Sequence, residues 1–392
     1  MKTAGIIAEY NPMHNGHIYH LEKTRQISKA GFVVCVMSGN FTQRGLPAVL
    51  DKWTRAGIAV RNGADLVLEM PFVWATGSAE IFARGGVGIL KGIGATDCIS
   101  FGSESGDLNE LKKVADLLAE EPDEYKAVLK KHLDEGSSFP AARHKAVGAC
   151  LGEKTAGLIA QPNNILSVEY LKQIGRTMEP VLIRREGEYG DEKLPEDKNG
   201  KPSAAAVRKM ITDGRTDELS DYVPEDCLEE IRNNEEAFRS MEERYFDLLR
   251  TVILRSGACK LAEIPDVTEG IENRIMREIR LCSDLDMFAS SVKSRRFTRT
   301  AVNRMMLHIL AGMNETAPDE VYTRVLAFSE KGRSLLREIS QSCTIPVITN
   351  LNKTEELPDG IEYDIIASDL YNILMGKDLY ENSEYVKRPV II

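Results

Sequence analysis

The stretch GIIAEYNPMHNGHIYH, residues 5–20, decides how this chain is read. It continues the apolar run Thr3–Glu9 (TAGIIAE), which has the length and composition of a buried strand. Asn11, Pro12 and Gly16 then supply turn chemistry, and from Ile18 to about Ala30 the apolar spacing is helical. Three of the six histidines, His14, His17 and His20, fall at this junction, and His14, Asn15, Gly16 and His17 form an H-x-G-H core. Gly16 lets the backbone approach a ligand closely. A helix beginning near His17 would turn its unpaired N–H groups and positive dipole end into the turn, the arrangement that receives anions. Two imidazoles beside it would donate hydrogen bonds to phosphate oxygens and stabilise charge that grows during reaction. An ordinary strand–helix turn with incidental histidines is the plain alternative. A metal site is not expected: histidine pairs that ligate metals come with acidic partners, and only Glu9 and Glu22 are near.

Working outward, the first half of the chain alternates strand and helix. Phe32–Ser38, Ala64–Met70, Asp97–Phe101 and Pro180–Arg184 read as strands, and Lys52–Asn62, Glu80–Leu90, Leu108–Ala119 and Pro122–Glu135 as helices. Strands joined by helices of this length imply right-handed crossovers and a parallel sheet, an α/β Rossmann-like architecture. Ligands of such sheets bind outside the carboxyl ends of the strands. The span 186–203, rich in Gly, Pro, Asp, Glu and Lys, reads as a long exposed loop, and Ser203–Asp213 as a further helix. After about Pro224 charged amphipathic helices take over, with one late strand at Thr344–Asn350 and a late helix at Asp364–Leu374. Two units are expected: residues 1–225, α/β, and residues 226–392, mainly helical.

Composition limits the choice of function. The 392 residues are 43% hydrophobic and 28% charged, ordinary for a soluble globular chain. No apolar run approaches the ~20 residues of a membrane helix, and polar residues interrupt the N-terminal apolar stretch too early for a signal peptide. The seven cysteines are scattered, with no C-x-x-C, which fits reduced thiols and a cytoplasmic location without membrane partners. A net charge of −10 argues mildly against nucleic acid, but Ser290–Leu310 departs from that average. It carries Lys293, Arg295, Arg296, Arg299 and Arg304 with no acid, the electrostatic footprint of a phosphate backbone. Met305, Met306, Leu307 and Ile309 supply its buried side, and Phe297 is an aromatic that could stack on a base. Arg143, His144 and Lys145 form a weaker basic cluster.

A second anion site is suggested by SAAAVR, residues 203–208: Ser203 as N-cap and Arg208 one turn on bring hydroxyl, backbone N–H groups and guanidinium together. With H-x-G-H upstream, this pattern resembles the nucleotidyltransferase superfamily of that signature. Nearly the whole chain resembles one family in it, the tRNA(Met) cytidine acetate ligases. The carriers include MSGNFTQRGLPAVLDKWTRA (37–56), DLVLEMPF (65–72), EIFARGGVGIL (80–90), ISFGSE (99–104), SFPAAR (138–143), QPNNILSVEYLK (161–172) and Lys293–Leu310. Two positions depart from the family pattern: Ser167-Val168 stands where Gly-Ile is expected, and Ala205 stands where a hydroxyl is expected.

The resemblance implies that acetate attacks the α-phosphate of ATP, giving acetyl-adenylate and pyrophosphate. The acetyl group then passes to N4 of the wobble cytidine of elongator tRNA(Met). His14 and His17 would be catalytic. ATP would contact Ile7, Ala8, Glu9, Tyr10, Asn11, Pro12, Met13, His14, Asn15, Gly16, His17, Ile18, Tyr19 and His20, then Gly102, Asn163, Arg184 or Arg185, Ser203 and Arg208. Mg²⁺ is expected with ATP, although no carboxylate announces itself as its ligand. Asn40, Gln43, Arg44 and Lys52, after the second strand, are candidates for the acetate or the tRNA end. A small-molecule adenylyltransferase of the same superfamily is the alternative, and the basic segment with the ~160 residues after the boundary speaks against it. A non-catalytic RNA-binding chain on the same fold is disfavoured by the intact histidine pair. The oligomeric state is left open by the sequence.

Overall fold

The computed structural model describes residues 1–185, 194–195 and 200–392. Most of the expected loop 186–203 therefore lies outside the described residues. One sheet organises the molecule, with strands β1 (Thr3–Ala8), β2 (Phe32–Ser38), β3 (Leu66–Met70), β4 (Cys98–Ser103), β5 (Glu179–Arg184), β6 (Thr323–Phe328), β7 (Val347–Ile348) and β8 (Val390–Ile391). Their order is β5-β4-β1-β2-β3-β6-β7, and β8 pairs with β6. The first five strands are mutually parallel, as the crossover pattern requires. All seven residues of β2 are buried, the signature of a strand covered on both faces.

From β1 the chain adds β2 and β3 on one side, then returns to add β4 and β5 on the other. The order therefore reverses between β1 and β4, and a crevice opens there at the strands' carboxyl ends. Helix α1 (Asn15–Ser28) leaves β1 at that edge, and α2 (Lys52–Arg61) follows β2. The helix Pro162–Ile174, begun by proline at its first turn, packs against β4 and β5 and was not anticipated as an element.

The chain after residue 225 begins as five helices, from Glu225–Arg239 to Arg299–Ala311, and then returns to the sheet. Strand β6 pairs antiparallel with β3, and β7 and β8 run parallel to β6. The expected boundary near 225 thus coincides with no break in the sheet.

Candidate active site

The crevice between β1 and β4 holds a cavity of about 180 Å³. Its walls combine Ile7 to Asn11, His14, His17 and His20 with Gln43 and Arg44 after β2, Gly102 on β4, Asn163 on the helix Pro162–Ile174, Arg185 after β5, and Ser203 to Ala205 with Arg208. The sequence-expected anion groups therefore converge.

Helix α1 begins at Asn15, earlier than its apolar spacing suggested, because His14 is its N-cap. The His14 Nδ1 accepts from the Gly16 N–H at 3.1 Å, and the His14 N–H donates to His17 Nδ1 at 3.3 Å. The two rings stack, 3.8 Å between centroids. This reciprocal cap fixes both tautomers: each Nδ1 is an acceptor, so each proton sits on Nε2. A Cβ on Gly16 would lie 2.9 Å from His14 Cε1, so glycine lets the ring fold back on the helix start without being pushed aside.

The amides at the start of α1 are already committed. The Asn15 N–H donates to Tyr222 O, the Gly16 N–H to the imidazole, and those of His17 and Ile18 to His14 O. The turn therefore offers a ligand imidazole edges instead of free helix amides, a correction to the expected mode. Among the described residues, uncommitted amides come from the helix Ala204–Thr212. Ser203 caps it by accepting from the Ala206 N–H at 3.0 Å, which leaves the first amides, of Ala204 and Ala205, without an intrahelical acceptor on the cavity wall. The missing hydroxyl at Ala205 does not remove that backbone contribution.

Electrostatics keep the histidines neutral. Burial, then the nearby Arg185 and Arg208 guanidinium groups, lower the His14 pKa to about 3. Burial, followed by His14 and Arg185, holds His17 well below its ordinary value. Burial and Arg185 bring His20 to about 4, and its Nε2 meets Ser100 Oγ at 3.0 Å. Neutral, tautomer-fixed imidazoles present N–H donors while the two arginines carry the positive charge.

Other groups fix the walls. The Asn11 carbonyl accepts from Arg208 at 2.7 Å, and its Oδ1 accepts from the Val49 N–H at 2.8 Å. Glu9 accepts from the Gln43 N–H at 2.7 Å. Buried Arg55 donates to the carbonyls of Glu9, Ser38, Gly39 and Leu50, tying the ends of β1 and β2 together. Ser167, in place of the expected glycine, is buried and donates to Asn163 O and Gly102 O, which binds the helix Pro162–Ile174 to β4.

Some expected residues lie elsewhere. Met13 is core, Pro12 and Ile18 do not line the cavity, and the Asn15 side chain donates to Asp221 O. Arg185, not Arg184, faces the main cavity. Arg184 borders a smaller neighbouring hollow with Gly16, Tyr19 and Lys201. Asn40 caps the Lys52 N–H and donates to Ser368. Lys52 is not an acid-binding residue of this cavity: it is buried and paired with Glu69 at 2.5 Å and Glu384 at 2.9 Å. Arg143 is likewise committed, to Glu169 at 2.6 Å.

The basic segment has no acid of its own but receives acids from its neighbours. Arg296 pairs with Glu269 and Arg299 with Asp286, while Lys293 and Arg295 stand exposed. Arg304 is half-buried near Asp266.

Sequence reasoning missed Phe82, Leu166 and Tyr170 in the cavity wall. A signal existed for two of them: Asn163, Leu166 and Tyr170 recur at helical spacing on one face of a segment opened by Pro162.

Among the described residues no group of three or more His, Cys, Asp or Glu side chains could hold a metal, and no helix is long and apolar enough to cross a membrane.

A family model described as HIGH Nucleotidyl Transferase matches residues 1–385. A tRNA(Met) cytidine acetate ligase of Clostridium perfringens is 38% identical over 410 residues, covering 100% of both chains. One from Caldanaerobacter subterraneus is 39% identical over 389 residues, covering 95% of each. Among solved structures, Thermotoga maritima TmcAL bound with alpha-thio ATP superposes with a TM-score of 0.88 at 32% identity, over 100% of this chain and 99% of that one. Its apo form gives 0.90, over 100% of both chains.

Proposed function

The chain belongs to the HIGH nucleotidyl transferase family and, within it, to the tRNA(Met) cytidine acetate ligases, and from that premise we propose that its crevice joins acetate to ATP and passes the acetyl group to N4 of the wobble cytidine of elongator tRNA(Met). The observation that carries the reading is the stacked pair His14 and His17. Both Nδ1 atoms are held by the helix cap, and both Nε2–H donors are without a partner among the described residues, beside Arg185 and Arg208 at the sheet's switch point.

In the first step an acetate oxygen attacks the α-phosphorus. The new P–O bond forms as the bond to pyrophosphate breaks, and pyrophosphate leaves with the electron pair. Arg185, Arg208 and the Ala204 and Ala205 amides hold the phosphates in line. The histidine N–H donors stabilise charge on the α-phosphate without titrating, because burial and the two arginines keep them neutral. In the second step the cytidine N4 attacks the acetyl carbon, AMP leaves with the C–O electron pair, and N4 loses one proton.

Magnesium finds no protein-built cage among the described residues. An ion held chiefly by the phosphate oxygens of ATP and by water fits magnesium's usual habit. When bound with ATP it would neutralise phosphate charge. Exposed Lys293 and Arg295, with Arg296 and Arg299, supply the phosphate-backbone contacts for RNA.

The test is acetate-dependent exchange of labelled pyrophosphate into ATP without RNA, followed by transfer of labelled acetate to a tRNA(Met) transcript. Exchange independent of acetate, or transfer from acetyl-coenzyme A but not from acetate with ATP, would overturn the reading.

A further inference from the structure

A second cavity, of about 210 Å³, adjoins the first and shares Glu9, Asn11, Arg44 and Arg208 with it. Apart from Thr42, Thr212 and Glu242, its remaining wall is of different character. Leu46 and Pro47 come from the loop after β2, and Phe238, Met241, Tyr245 and Leu285 from three helices of the region after residue 225. These residues give the cavity an aromatic and aliphatic lining. The buried Tyr245 hydroxyl has no hydrogen-bond partner among the described residues. Burial pushes its pKa up, so it remains a donor.

The geometry points to this second cavity as the pocket for the acceptor cytosine, unstacked from its RNA and presented edge-on to the acyl-adenylate next door. The assignment rests on the ligase reading above. Bases that undergo chemistry are taken out of the stack and held between apolar and aromatic side chains, with their pairing edge read by hydrogen bonds. Each requirement has a residue here. Phe238, Met241 and Leu285 cover the faces of the ring. Tyr245 donates to an acceptor of the ring edge, O2 or N3. Glu9, on the wall common to both cavities, accepts from the exocyclic amine, the pairing a carboxylate makes with cytosine. Its carboxylate is already oriented by the Gln43 N–H. As the C–N bond forms and AMP departs, the N4 proton passes to Glu9. Uracil would bring a carbonyl oxygen against the same carboxylate and be repelled.

The location agrees with the basic segment. A Cβ on Gly45 would collide with the backbone of Asn303 and Arg304, so the loop that walls the second cavity rests on the helix Arg299–Ala311. Arg299 in turn donates to the Asp286 backbone carbonyl, next to the wall residue Leu285. A nucleotide whose phosphates lie on that segment can reach the cavity without crossing the molecule.

The experiment uses the full chain with three variants: Leu285→Trp to fill the cavity, Phe238→Ala to remove a stacking face, and Tyr245→Phe to remove the donor with the least disturbance. Each is assayed for acetate-dependent pyrophosphate exchange without RNA and for single-turnover acetyl transfer to a tRNA(Met) transcript. Exchange also reports whether the variant has folded. The expected result is retained exchange with transfer reduced roughly tenfold or more in Leu285→Trp and Phe238→Ala, the scale of one lost base stack. Tyr245→Phe should lose less, and its conservative geometry keeps the test valid if Leu285→Trp does not fold. Wild type should also bind the transcript more tightly than one with uridine at the acceptor position, and Phe238→Ala should narrow that difference. Unchanged transfer in the folded variants, or equal loss of exchange and transfer in Tyr245→Phe or Phe238→Ala with wild-type circular dichroism and unfolding midpoint, would overturn the base pocket while leaving the ligase reading intact. Absence of exchange in wild type would instead overturn the ligase reading.

Discussion

Two buried polar groups sit at the carboxyl ends of neighbouring strands, and they differ in how completely their neighbours satisfy them. After β1, His14 and His17 each commit one nitrogen to the local backbone and leave the other beside a cavity. After β2, Lys52 is enclosed between Glu69 and Glu384, and Glu384 also holds Arg324 and Ser368. The first arrangement faces a cavity, whereas in the second Lys52 is closed in by two carboxylates. Burial and charge type do not separate a site from a structural strut. What separates them is whether the polar partners close on one another or converge on open space.

The largest effect should come from opening the closed cluster. Lys52→Met leaves Glu69 buried without its cation, at a cost of about 3–5 kcal/mol. Urea unfolding should show the loss, while the KM for acetate in the folded fraction should stay at the wild-type value. A stable variant with a raised acetate KM would erase the distinction drawn above.

Replacing His17 with Ala should leave the fold nearly intact and lower pyrophosphate exchange by about 10²–10³-fold, the scale for one lost transition-state donor. His14→Asn sharpens the point. Asparagine is a competent N-cap, so helix stability should change by only a few tenths of a kcal/mol, yet exchange should fall as for His17→Ala. Equal losses of stability and activity would reassign His14 to a capping role alone.

Gly16→Ala should be milder, roughly tenfold in kcat, because the new Cβ displaces the His14 ring by a fraction of an ångström. The effect should appear in kcat more than in the KM for ATP, since phosphate binding is shared with Arg185 and Arg208.

The smallest effect concerns pH. The folded-state pKa values of His14 and His20, about 3 and 4, lie below the unfolded value near 6.5. On acidification the unfolded chain takes up these protons first. The stability is therefore whole above pH 6.5 and is lost as pH falls from there toward 4, by at most about 1.4 kcal/mol per pH unit for each histidine. Unfolding midpoints at pH 7.5, 6 and 5 should follow this slope, and His20→Gln should flatten it. The exchange rate should show no histidine inflection near pH 6.5.

Much of the site is legible in the chain because it is built from local pieces. A strand, a turn with Gly16 and a helix start lie within one short stretch, and Ser203 caps its helix from the adjacent position. Helix Pro162–Ile174 was harder to read because Asn163 and Asn164 break its apolar pattern. Those side chains instead serve the Glu104 carboxylate and the end of β4.

By itself the sequence determined the alternation of strands and helices, the two turns proposed to bind phosphate and the family resemblance, since each depends on residues close together in the chain. Only the tertiary structure decided which charges remain available. Lys52 meets Glu384 across most of the chain's length, Arg296 meets Glu269 in the turn before Ile271, and Arg299 meets Asp286 on another helix. The sheet order likewise placed the crevice between β1 and β4, brought β6 beside β3, and set helices from beyond residue 225 over the loop after β2 to make the second cavity. Local preference can specify a strand, a cap or a turn, but electrostatic satisfaction and cavities are properties of the packed whole, because they depend on which distant groups come within contact distance.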